Sequence, residues 1–157
     1  LESRVNGVYC AGMGCVLLHE LTHFDNDHFE RLKQEKRRDL ELEADNNAFD
    51  GILSLEEKKE RHTAIMGAIC SQLLGFFMDP KMVPSDNYYS SDVRLFTQYD
   101  KIVEERRSAS IIIAHVFQYW LKAFHQIDIE VELDKEEAAV ENMRTAIIKL
   151  RETKSGA

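Results

Sequence analysis

Proline occurs at only two places in this chain, Pro80 and Pro84, and glycine at seven of its 157 positions. Nothing on either side of that segment forbids long helices, because the residues that break them are missing there. The expected fold is therefore mainly α, with about six helices around one core and at most one short strand or hairpin. A chain of this length, 44% hydrophobic, can bury one sizeable core. A single domain over residues 1–153 is expected, with 154–157 as a frayed tail.

Helical periodicity places a first long helix from about Ala11 to Gln34, running through Leu17, Leu18, Leu21, Phe24 and Phe29. A second continues from a turn near Lys36–Arg38 to about Ile52. Ser54 and Glu57 have the spacing of a capping box, so a third helix is expected from Ser54, with Met66, Ile69, Leu73 and Phe77 on its core face. Residues 79–90 read as the main loop. Helices follow over 92–105 and 108–126, the latter apolar on nearly every side and expected to be the central buried element. Residues 127–133 alternate apolar and acidic, the one clear strand signal. Asp134 and Glu137 then cap a last helix with Val140, Met143, Ile147 and Leu150 along one stripe.

Inside the first helix lies Leu18-His19-Glu20-Leu21-Thr22-His23, an H-E-x-x-H sequence. Helical residues are about 100° apart, so His19 and His23 stand one turn apart on one face and can direct two imidazole nitrogens at a single ion. Glu20 stands beside them, where a carboxylate can take a proton from a zinc-activated water, whose pKa falls from about 15.7 to about 7. Zn2+ is the ion this set of residues suits. A metzincin would place a glycine and a third histidine where this chain has Asn26 and Phe29, so that pattern is excluded. On a continuing helix His28 would point about 140° from His23, which reads as a surface or outer position. Downstream, Glu41 and Asp45 are again four apart.

HELTH followed by Glu41-Leu42-Glu43-Ala44-Asp45 resembles the gluzincin pattern, H-E-x-x-H with a later E-x-x-x-D, shared by thermolysin and the CAAX prenyl endopeptidases. The resemblance implies that Glu41 is the third zinc ligand and that Asp45 is hydrogen-bonded to His19. It also implies that the H-E-x-x-H helix packs on the helix bearing Glu41, an approach the small Ala44 would permit. Glu43 competes for the ligand role but lies about 200° from Glu41 around the helix, so only one of them can face the metal. A fainter likeness joins Val83-Pro84-Ser85 and Val93-Arg94-Leu95, which resemble the H-P-x(n)-R segment of CAAX-endopeptidase-like and phage-exclusion Lit-like peptidases. Val83 stands where those carry histidine, and Arg94 reads as an exposed helix arginine.

The function expected is zinc-dependent peptide hydrolysis, with Glu20 as general base and then general acid. A donor for the developing oxyanion is also needed. His115, in the most apolar helix, and Tyr119, one turn further along the same face, are the candidates, with Tyr88, Tyr89 and Tyr99 not separated. Two alternatives use the same residues differently. One is a non-catalytic helical module with a degenerate or structural metal site. The other is a di-iron carboxylate protein, for which Glu20-Leu21-Thr22-His23 supplies one Glu-x-x-His pair but no second pair exists.

Twenty Lys and Arg against 28 Asp and Glu give a net charge of -8, which argues against nucleic acid or an anionic membrane as a general partner. No apolar run reaches the roughly 18 residues of a membrane span. Cys10, Cys15 and Cys70 are an odd set without C-x-x-C spacing, which fits a reducing, cytoplasmic compartment. The expected partner is a peptide or protein substrate. Gluzincins usually hold substrate along a sheet that precedes the H-E-x-x-H helix, and only 18 residues precede His19. The chain is therefore expected to be a trimmed piece, with substrate binding completed by an upstream segment, by residues 127–133 folded back as an edge, or by a partner chain.

Overall fold

A computed structural model describes residues 2–78, 85, 87–128 and 135–155. Within them run seven helices: α1 Glu2–Asp25, α2 His28–Arg31, α3 Arg37–Leu53, α4 Lys58–Met78, α5 Ser91–Tyr99, α6 Arg106–His125 and α7 Glu136–Ser155. There is no strand among the described residues. Ile127 and Asp128 follow α6 without joining a sheet, and the rest of the alternating segment lies outside the described residues.

α4 is the organising helix, packing against α1, α3, α5 and α6, while α7 packs on α6. That role was expected of the helix over 108–126. α6 instead buries one face, with Ile113, Phe117 and Trp120 inside and Tyr119 and Phe124 exposed. Trp120, Phe76 and Phe117 form the aromatic centre of the core, and the Trp120 indole N–H donates to the Phe76 carbonyl at 2.7 Å. This satisfies a carbonyl in the last turn of α4 that has no partner within its own helix.

α1 begins nine residues earlier than the periodicity indicated and buries different side chains. Leu17, Leu21 and Phe24 are exposed, and the buried face carries Gly12 and Cys15. Small residues are required there because α1 and α4 touch backbone to backbone. A Cβ added at Gly67 would lie 2.5 Å from Gly12 N. Burial pushes the Cys15 thiol up to about 11, and the nearby Asp45 charge adds to the effect. All three cysteines are free thiols.

The expected end of α1 at Gln34 fails for a local reason. Asp27 is left-handed, with φ 52° and ψ 35°, so the helix stops at Asp25 and the chain turns before α2. Asp and Asn tolerate that conformation better than other non-glycine residues. Ser54 does not cap α4: its hydroxyl donates back to the Gly51 carbonyl at 2.7 Å, finishing α3, and α4 starts at Lys58. The helix expected over 92–105 stops at Tyr99. Gln126, left-handed with φ 56°, closes α6, and the Ile127 N–H reaches back to the Leu121 carbonyl at 3.3 Å. α7 runs on to Ser155, past the expected start of the tail. No helix among the described residues is long and apolar enough to cross a membrane.

Candidate metal centre

α1 and α3 pack together, with Ala44 fully buried on the α3 side. The contact brings His19 and His23 of α1 to Glu41 of α3. Their ligand atoms converge. His19 Nε2 and His23 Nε2 are 3.1 Å apart, and Glu41 Oε2 lies 3.4 Å from the first and 3.6 Å from the second. A tetrahedral zinc ion with ligands at about 2.0–2.2 Å holds them about 3.3–3.6 Å from one another. The three atoms thus already have nearly the spacing that the ion imposes. Among the described residues this trio is the group of His, Cys and carboxylate side chains able to hold a metal ion.

Tautomers support the same geometry. His19 Nδ1 lies 2.9 Å from Asp45 Oδ1; a carboxylate accepts, so the ring hydrogen sits on Nδ1 and the Nε2 lone pair faces Glu41. Asp45 is only 3% exposed. It accepts from Arg94 Nε at 2.5 Å and Nη2 at 2.8 Å, and from Gln72 Nε2 at 3.3 Å. Burial raises the Asp45 pKa, but the bonds from His19 and Arg94 outweigh it and hold the carboxyl below its ordinary range. At His19 burial disfavours the charged ring, yet the Asp45 hydrogen bond and charge prevail and its pKa is raised. Burial, with His19 and His28 nearby, lowers that of His23 in spite of the Glu41 charge. Arg94 is thus not the exposed helix arginine its sequence context suggested. It is the partner of the most buried carboxylate in the site.

Glu43 faces away from the trio. Its Oε1 accepts from Asn26 Nδ2 at 2.9 Å and Arg31 Nη1 at 2.9 Å, and its Oε2 from Arg31 Nη2 at 2.8 Å. The Arg31 guanidinium is the main reason its pKa falls to about 2, with help from His28 and Asn26. His28, for which the sequence left a surface or an outer position behind the ligands open, is 3% exposed and so not at the surface, and its Nδ1 lies 2.8 Å from His23 Nδ1. The left-handed Asp27 folds it back under His23, where a continuous helix would have turned it away.

A cavity of about 280 Å³ opens beside the trio, lined by Glu20, His23, His28, Phe29, Leu32, Arg37, Leu40, Glu41 and Tyr88. Arg37 bridges two of these. Its Nε donates to Glu41 Oε1 at 3.3 Å, and its Nη2 donates to the Tyr88 hydroxyl at 2.8 Å. One Glu41 oxygen is thereby occupied and the other left to face the histidines. His115 and Tyr119 are not among the lining residues. The His115 Nδ1–H donates to the carbonyl of Ile111 on its own helix at 2.7 Å, and Tyr119 is 68% exposed; both sit on α6, which packs against α4 and α7.

The family model described as Peptidase U49 matches residues 2–121. This is more than half of the chain. The chain belongs to the Peptidase U49 family. No curated protein and no solved structure matches it. The Peptidase U49 match takes in α1 to α5 and most of α6. Every side chain of the candidate centre, from His19 to Arg94, therefore falls inside it, and α7 falls outside.

Proposed function

We propose that this Peptidase U49 member is a zinc-dependent peptide hydrolase of gluzincin type. The observation that carries the reading is the convergence of His19 Nε2, His23 Nε2 and Glu41 Oε2 at 3.1–3.6 Å, beside a cavity lined by Glu20. Three converging lone pairs repel one another unless a metal ion or a shared proton lies between them, and of metal ions this donor set suits zinc. When bound there, zinc supplies Lewis acidity, which activates water near neutral pH and polarises a carbonyl.

The chain's own residues supply the rest. Glu20 is exposed on the cavity side and takes the proton of the attacking water, then returns it to the amine leaving group. Asp45, locked by Arg94, keeps the His19 hydrogen on Nδ1. Tyr88, rather than His115 or Tyr119, is the donor to the developing oxyanion. Its oxygen already accepts from Arg37, so its own hydrogen is left to donate into the cavity. Phe29, Leu32 and Leu40 offer an apolar wall to a substrate side chain.

The experiment is metal analysis of the purified chain with hydrolysis of a complex peptide mixture followed by mass spectrometry. One zinc per chain is expected in the wild type. Glu20→Gln keeps the zinc and loses hydrolysis, and Glu41→Ala loses most of the zinc. Full zinc occupancy in Glu41→Ala would remove Glu41 from the ligand set, and unimpaired hydrolysis by Glu20→Gln would remove Glu20 from the chemistry.

A further inference from the structure

A short segment after α1 breaks the ordinary rule of burial. His28 is 3% exposed while the adjacent Phe29 is 73% exposed and Leu32 is 45% exposed. An imidazole has taken the inside place and a phenyl ring the outside one. A buried imidazole is costly unless polar groups face its nitrogens, and the groups that face both nitrogens here belong to or border the candidate centre. Nδ1 is 2.8 Å from His23 Nδ1, with the two rings edge to face at 4.8 Å. Nε2 faces Glu43 Oε1 at 3.4 Å, an ion-pair distance without the geometry of a hydrogen bond, and no other group bonds it.

The direction of the hydrogens follows from the end of the chain of contacts. Glu43 is a carboxylate held by Arg31 and Asn26, so it can only accept. The His28 hydrogen therefore belongs on Nε2, which leaves the Nδ1 lone pair to accept the Nδ1–H of His23. That fixes the second ring in the tautomer whose Nε2 lone pair points at Glu41 Oε2. His19 is fixed the same way by Asp45 and Arg94. The two histidines thus have matching supports, each an arginine, a carboxylate and a hydrogen bond to Nδ1, except that the one behind His23 has an additional imidazole between the carboxylate and the ligand.

We propose that His28, backed by Glu43, is a positioning residue for His23, setting its tautomer and ring orientation in the metal centre. The inference rests on the zinc reading above and adds a residue that H-E-x-x-H and E-x-x-x-D do not contain. Partners of this kind commonly change metal affinity 10- to 100-fold when removed.

The test measures zinc affinity by chelator competition in the full chain, with urea unfolding of each metal-free protein alongside. His28→Phe fills the space and removes the acceptor; its zinc affinity is expected to fall about 10- to 100-fold. His28→Asn keeps an acceptor oxygen close to the Nδ1 position and is expected to recover most of that loss. Glu43→Gln, at a side chain 34% exposed, is expected to weaken zinc several-fold, a change measured separately from its effect on metal-free stability. A scaffold role for His28 would lower the stability of the metal-free protein and leave zinc affinity alone. Wild-type affinity in His28→Phe, or equal losses in His28→Phe and His28→Asn, overturns the proposal while the zinc reading stands. If His28→Phe does not fold, unchanged affinity in both His28→Asn and Glu43→Gln overturns it instead. A wild-type chain that binds no zinc overturns both.

Discussion

The crossing of α1 and α4 ties stability to the candidate metal centre through a single missing methyl group. A Cβ at Gly67 would lie 2.5 Å from Gly12 N, 2.7 Å from Ala11 Cβ and 2.7 Å from Val8 O, where ordinary contact begins near 3.4 Å. Two of those three atoms are backbone atoms of α1, so no rotamer change relieves them and α1 has to move by about 1 Å. Alanine is the better helix former by about 1 kcal/mol, but overpacking costs about 1–3 kcal/mol, and a backbone clash belongs at the upper end. Gly67→Ala is therefore expected to be destabilised by about 2 kcal/mol, which for a domain of this size lowers Tm by about 4–8 °C. The displaced helix is the one that carries His19 and His23. A shift of about 1 Å exceeds the roughly 0.5 Å within which such a site has to be held, so the proposed zinc binding is expected to weaken together with stability. Gly14→Ala is the control on the same helix, since a Cβ there meets nothing within 4 Å; it is expected to gain up to about 1 kcal/mol and bind zinc normally. Urea unfolding followed by far-UV circular dichroism, with zinc titration of each variant, measures both effects. A Gly67→Ala protein as stable as Gly14→Ala, with wild-type zinc affinity, would refute the reasoning.

Arg94→Ala strands the buried Asp45 carboxylate with His19 and Gln72 alone. Breaking a pair of this kind is expected to cost about 3 kcal/mol in the metal-free protein and to weaken zinc binding, so denaturant midpoints unchanged from wild type would show that Arg94 gives Asp45 nothing. Tyr88→Phe removes one hydroxyl at the cavity mouth and should leave zinc content unaltered while slowing hydrolysis about 100- to 1,000-fold, the usual loss for an oxyanion donor; a wild-type rate would return the role to another residue. Saturating the metal-free chain with zinc at about 1,000 times its dissociation constant should stabilise it by about 4 kcal/mol, a rise in Tm on the order of 10 °C. A melting curve that does not move with zinc and chelator would leave the trio without its ion.

The parts of the centre legible in the sequence are those that follow helical period. His19 and His23 face one way because they are one turn apart, and so do Glu41 and Asp45. The roughly 200° between Glu41 and Glu43 separates them on any helix, and in the fold they do point to different partners, Glu41 to the histidines and Glu43 to Arg31. Helix content was legible for the same reason, since two prolines in one short segment leave little else for the chain to form. The errors came at ends and faces. Ser54 satisfied a carbonyl of the preceding helix rather than an amide of the next one. Leu17, Leu21 and Phe24 carried the period that placed the first helix, yet they are exposed and the side of α1 that packs on α4 is the side with glycine.

What the amino-acid sequence determined by itself is therefore local: which segments coil, and which side chains share a turn, because these depend on a repeat of 3.6 residues. Tertiary structure alone decided that Arg94 would reach Asp45 from 49 residues away and that Arg37 would join Glu41 to Tyr88 from 51 residues away. It also decided that one left-handed residue, Asp27, would turn His28 inward beneath His23. No period encodes such meetings, since they depend on how closely α1, α3 and α4 approach one another and on where a chain reversal falls.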